Sequence, residues 1–141
     1  MYIKSLELNN YRNYDNLSIE FERGTNILYG NNAQGKTNLI EAIYLFTGLR
    51  SFRGAKDSEM VAFGSSGAKL KLDFTSGGVE RQAALTINNR RYAELDTKKL
   101  KSASALIGNF CAVVFSPTDL AVVKDGPALR RRFLDLAIGQ L

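Results

Sequence analysis

The sequence has no histidine, one cysteine and two prolines. Without histidine the chain lacks the commonest general base near neutral pH and the commonest metal ligand, so a histidine-dependent triad or a zinc hydrolase site within it is excluded. A single cysteine forbids an internal disulfide. Cys111 lies in the apolar run Phe110–Phe115 and reads as a small buried hydrophobe. No apolar stretch approaches the length of a membrane span or a signal core, so a cytoplasmic chain with no membrane partner is expected. Scarce proline and the lack of low-complexity runs argue against disorder.

What is present is an ordinary globular balance, with 45% apolar and 23% charged residues in 141. That length fits one domain with room for one core. The formal net charge of +5 permits an anionic partner such as nucleic acid, nucleotide or an acidic membrane, and chooses none of them.

Periodicity divides the chain. Ile3, Leu6 and Leu8 sit among polar residues in an opening strand, and 17–21 alternates cleanly. Residues 25–29 read as a short strand running into Gly30. From Thr37 the period changes, and Leu39, Ile40, Ile43 and Phe46 recur at helical spacing until Gly48 supplies a stop. A short turn of helix is expected over 58–63. Residues 68–74 and 79–87 form a hairpin around Thr75–Gly78, and Asn88–Asn89 offers another turn. Residues 98–107 read as weakly helical, and the run 110–115 as a buried central strand. Ser116–Asp119 is a turn with capping residues, and Pro127 fits the first turn of a final helix whose apolar face would carry Leu129, Phe133, Leu136 and Ala137. That helix meets no stop signal before Leu141, so the chain is expected to end inside a longer protein.

One motif carries chemistry. Gly30, Asn31, Asn32, Ala33, Gln34, Gly35, Lys36 and Thr37 match G-x-x-x-x-G-K-[ST] at every fixed position. A loop that wraps a phosphate must aim backbone amides inward. Gly30 and Gly35 allow the dihedrals and close approach that a Cβ would block. The helix starting near Lys36 adds its positive end and unbonded amides. Lys36 can reach the β- and γ-phosphates, and Thr37 offers a hydroxyl to Mg²⁺, which prefers hard oxygen ligands. A chance match in a chain this long is on the order of one in a hundred, and the strand before and helix after lower it further. Neither an Asn-Lys-x-Asp base reader nor an Asp-x-x-Gly switch occurs, and Lys124–Gly126 is too short to serve, so ATP is favoured over GTP.

The stretch GNNAQGKTNLIEAIYLFTGLRSFR, residues 30–53, resembles the P-loop and following helix of the RecF family of DNA-repair proteins. The opening strand leading to Asn10–Tyr14 fits too, as do Val114–Leu120 and the block Gly126–Asp135. Position 118 departs, with Thr118 where that family typically carries an acid. The resemblance implies an α/β P-loop NTPase fold: the N-terminal portion of an ABC-ATPase head, residues 1–141, with a mixed sheet and an antiparallel hairpin. It implies ATP and Mg²⁺ as ligands and an ATP-dependent homodimer of the intact protein. It also implies action on single- and double-stranded DNA at gaps or junctions, with other recombination mediator proteins. By position it places Arg12 and Asn13 near the nucleotide and Asp119 facing the metal. Arg12 reads equally as a solvated strand-end charge, and Asp119 as a helix N-cap.

An ABC head also needs a Walker B strand, apolar residues followed by Asp and Glu, and a signature segment. Neither occurs in this sequence: Phe115 is followed by Ser116, and Ser76–Gly78 is set in a hairpin turn. By itself the chain is therefore expected to bind nucleotide weakly and to turn over almost none, while the intact protein is an ATPase with no catalytic residue in this part. Basic clusters at Lys98, Lys99 and Lys101, at Arg130, Arg131 and Arg132, and at Arg50, Arg53 and Lys56 could track DNA phosphates without reading bases, or could be solvated surface. Arg130 and Arg131 should point away from the core by helical geometry. The rival readings are a small-molecule P-loop kinase, another SMC-like head and a non-catalytic module that keeps the loop as scaffold.

Overall fold

The computed structural model describes residues 1–115 and 126–138. The side chains of Leu129, Arg132, Leu136 and Ala137 fall outside the described set, as does the Ser116–Asp119 turn with its proposed metal residue. Strands β1 (Tyr2–Tyr11), β2 (Tyr14–Glu20), β3 (Ala68–Ser76), β4 (Val79–Ile87), β5 (Arg91–Leu95) and β6 (Lys98–Lys99) form a six-stranded sheet in the order β2-β1-β3-β4-β5-β6. Every described pairing is antiparallel. Helix α1 (Lys36–Leu45) follows the glycine loop, and α2 (Pro127–Ile138) starts at the proline expected to open it. Two 3₁₀ turns, Asp57–Met60 and Ala103–Leu106, complete the described elements.

Alternation fixes which face of the sheet is buried. Leu6 and Leu8 on β1, Leu70, Leu72 and Phe74 on β3, Leu85 and Ile87 on β4, and Leu95 on β5 join one core with Leu39, Ala42, Leu45 and Phe46. Each large apolar side chain in it contributes about 1.5–3 kcal/mol by leaving water. The β3–β4 hairpin is closed by Gly77 and Gly78, whose φ values of 58° and 80° are those of the tight turn that suits twisted strands.

Several sequence expectations change here. The buried stripe of α1 runs through Leu39, Ala42, Leu45 and Phe46, whereas Ile40 is exposed and Ile43 partly buried. The helix also buries Glu41, which no hydrophobic pattern anticipates. The turn expected over 58–63 occurs as the 3₁₀ turn at Asp57–Met60. The weak helix of 98–107 divides into β6 and a 3₁₀ turn, because Lys98 and Lys99 pair with Leu95 and Glu94.

The segments 25–29 and 110–115 enter no strand, since a strand requires a hydrogen-bonded neighbour and none of the described strands pairs with them. Ile27 and Tyr29 are 78% and 91% exposed, and Val113 and Phe115 are 91% and 80% exposed. Only Phe110 keeps the buried position expected of that run, edge-on to Phe74 at 5.2 Å. Cys111 is exposed rather than buried, because exposure alternates along 110–115: Phe110 is buried and Ala112 packs against the core, while Cys111 between them is exposed.

Candidate nucleotide-binding site

The loop from Gly30 to Gly35 climbs to the N-terminus of α1. Gly30 has φ +141° and Gly35 φ +96°, and Ala33 between them also takes a positive φ, 64°. Positive φ values of this kind are among those from which anion-binding backbone concavities are built. Gly35 is needed twice over. A Cβ there would meet the Asn13 amide and the Tyr14 hydroxyl at 2.7 Å, and the backbone is left-handed. Gly30 has open space around it, so its requirement is conformational alone.

Helix α1 begins without a side-chain cap and with no acidic residue in its first turn. Among the described residues no side chain caps its leading amides, an arrangement that suits an external anion. Lys36 Nζ donates to the carbonyl of Gly30 at 2.8 Å and to that of Asn31. The ammonium is folded over the loop. Asn31, Asn32, Ala33 and Gln34 are exposed, as is Thr37 in the first helical turn.

Asn13 lies against this loop. Its Nδ2 donates to the Gln34 carbonyl at 3.4 Å, and its Oδ1 accepts from Asn38 Nδ2 at 2.8 Å. Arg12 behaves differently. Its Nε and Nη2 donate to the two oxygens of Glu41 at 3.0 and 2.9 Å, and its Nη1 donates to the Glu59 carbonyl at 2.8 Å. Its guanidinium is thus bound to Glu41 on α1 and to the 3₁₀ turn, and is not an exposed strand-end charge. Arg12 also has φ 54°, a left-handed bend that ends β1 and swings the side chain toward α1.

Glu41 is the functional candidate that the sequence reading passed over. Its side chain is fully buried. It accepts from both Arg12 nitrogens, from the Tyr11 hydroxyl at 3.2 Å and from Ser51 Oγ, with Arg53 Nη1 3.6 Å away. Burial pushes its carboxyl pKa up, but the hydrogen bonds from Arg12 and Ser51 and the charges of Arg12 and Arg53 outweigh it. The group is held below its ordinary 4.5. Tyr11 shifts the other way, raised by burial and by the neighbouring carboxylate, and stays protonated. The available signal was a lone charge in the otherwise apolar stretch Leu39–Phe46, with arginines before it at Arg12 and after it at Arg53.

The candidate DNA residues occupy separate elements. Lys98 and Lys99 are exposed on β6 at the sheet edge, where lysines on a short strand also discourage edge-to-edge pairing. Arg130 and Arg131 are exposed on α2, and so is Phe133, which the helical spacing had placed on an apolar face, so the described side chains of this helix show no buried side. Arg53 belongs with Glu41 and Asn38 beside the loop.

Comparison with known proteins agrees with this geometry. A family model for an AAA ATPase domain matches residues 1–124. The chain belongs to that AAA ATPase domain family. It is 43% identical over 143 residues to the DNA replication and repair protein RecF of Lachnoclostridium phytofermentans, covering 100% of this chain and 40% of that protein. The chain therefore spans about two-fifths of the length of the RecF relative it matches. A structure of the recombination mediator protein RecF-ATP in the RecFOR pathway superposes with a TM-score of 0.90 at 37% identity, over 99% of this chain and 39% of that one. The SMC head domain from Thermotoga maritima, at 19% identity and a TM-score of 0.63 over 79% of this chain and 43% of that one, shares the fold. In sequence and fold the chain is thus similar to the N-terminal part of RecF, an α/β P-loop head of the ABC-ATPase type. Among the described residues, no helix is long and apolar enough to cross a membrane.

Proposed function

We propose that residues 1–141 are the nucleotide-binding front of a longer RecF-like ATPase head. In this reading Gly30–Thr37 holds the phosphates of ATP, Lys36 neutralises the β- and γ-phosphates, and Thr37 ligates Mg²⁺ with Asp119 facing the same metal. The observation that carries it is the join of a doubly glycine-hinged loop to an uncapped ten-residue helix, with Lys36 folded over the join. The ammonium exchanges its loop carbonyls for phosphate oxygens when the nucleotide enters. Asn13, already against Gln34, lines the same mouth, and Arg12 supports it from behind through Glu41.

The residues that activate water and cap the partner's nucleotide belong to the remainder of the longer protein. This part therefore binds without turning over. ATP-driven dimerisation of the intact head then controls its grip on gapped or junction DNA in the cytoplasm, in concert with other recombination mediators. The basic residues Lys98, Lys99, Arg130 and Arg131 contact phosphates without reading sequence. The likeness to a RecF–ATP structure supports the choice of ligand. Binding of gapped duplex by the full-length protein, measured with and without ATP, tests the reading. ATP should tighten binding, and Lys36→Ala should remove that effect. Equal affinity in both conditions contradicts it, and phosphate transfer to a small acceptor would establish the kinase alternative.

A further inference from the structure

A continuous line of polar contacts leads from the buried carboxylate to the phosphate loop. Arg53 Nη1 stands 3.6 Å from Glu41 Oε2 and donates to Asn38 Oδ1 at 2.8 Å. Asn38 Nδ2 donates to Asn13 Oδ1 at 2.8 Å, and Asn13 Nδ2 donates to the Gln34 carbonyl. Asn13 and Tyr14 also crowd the position a Gly35 side chain would take. The line thus ends on the peptide that joins Gln34 to Gly35. A trans peptide points its carbonyl and its N–H in opposite directions. Holding the Gln34 carbonyl toward Asn13 therefore turns the Gly35 N–H to the other side of the strip.

We propose that Glu41 is a positioning residue for nucleotide binding: through Arg53, Asn38 and Asn13 it fixes the Gln34–Gly35 peptide with its amide toward the bound phosphate. This rests on the nucleotide-binding reading above. The arrangement explains why a full charge is kept in the core beside the site, where an apolar residue would pack the helix equally well. Two guanidiniums on one carboxylate hold segments from β1 and from the loop after α1 in fixed relation to α1. Asn38, next outward after Arg53, is held by the Arg53 guanidinium.

The test is Mg-ATP affinity of the full-length protein by calorimetry, well below the melting temperature, for Asn38→Ala, Glu41→Gln, the double variant and Lys36→Ala. Each of the first two should weaken binding about tenfold, as loss of an outer-sphere orienting partner does. The double variant should be no weaker than the worse single, because both interrupt one line. Asn38→Ala should melt like the parent, which separates positioning from stability. Should Glu41→Gln fail to fold, Arg53→Gln takes its place in the cycle. Parent-like affinity in Asn38→Ala and Glu41→Gln, or effects that multiply in the double variant, would overturn the proposal while Lys36→Ala still abolishes binding. Undiminished binding in Lys36→Ala would remove the nucleotide reading and this inference together.

Discussion

The sheet lobe and the segments flanking the phosphate loop are built from equally apolar sequence and end in opposite states. Along β3, Leu70, Leu72 and Phe74 are buried because β1 and β4 flank them on both sides. Residues 25–29 and 110–115 carry as strong a β pattern, and Ile27, Tyr29, Val113 and Phe115 face water. The difference lies in pairing. A pattern states which residues suit a strand, and a neighbour's backbone decides whether one forms. In the lobe, β4 reaches β3 through a tight turn and β1 reaches it from far earlier in the chain, so both edges of β3 are paired. Among the described strands none lies beside residues 25–29 or 110–115.

The largest expected effect sharpens that contrast. Phe74→Ala should cost about 3–5 kcal/mol in denaturant unfolding, since it opens a cavity beside Phe110. Ile27→Ala should stay within about 0.5 kcal/mol, as exposed substitutions do. Similar losses at the two sites would break the comparison. Next, Glu41→Ala should cost about 3 kcal/mol, the low end for a broken buried pair because Arg12 and Arg53 both keep some water.

The glycines extend the comparison to backbone. Gly35→Ala combines a positive φ with 2.7 Å contacts, so about 2 kcal/mol of stability should go, together with most of the Mg-ATP affinity. Gly77→Ala also needs a positive φ but meets open space, so about 1 kcal/mol is expected and nucleotide binding should be untouched. Thermal melts and calorimetry on both variants separate these outcomes.

The smallest effect is in pH. The Glu41 carboxyl is depressed in the folded state, so its contribution to stability is complete above about 4.5 and is lost as pH falls through the lower folded value. Glu41→Gln should flatten the acid limb of a stability–pH curve relative to the parent. An acid limb of unchanged slope would place the sensitivity elsewhere.

Much of this was legible in the residues. The alternation at 68–87 and the pair Gly77–Gly78 contain the hairpin with its turn. The motif at 30–37 specifies its loop because each fixed residue answers a local steric or electrostatic demand. Where the demand was non-local, sequence was silent or misleading. The burial of Glu41 depends on Arg12, 29 residues earlier, and on Ser51, 10 residues later. The exposure of Cys111 depends on which side of its run meets the core, and that side carries Ala112 and Phe110, the latter against Phe74. On α1, Ala42 is buried and Ile40 exposed, and the neighbouring Glu41 is buried against Arg12.

The central claim is that the amides, ammonium and hydroxyl of residues 30–37 bind a metal-bound triphosphate. Calorimetric titration of Mg-ATP into the full-length protein and its Lys36→Ala variant tests it most directly. Loss of a charge-assisted contact should weaken binding at least about tenfold. Equal dissociation constants in the two proteins would contradict the account.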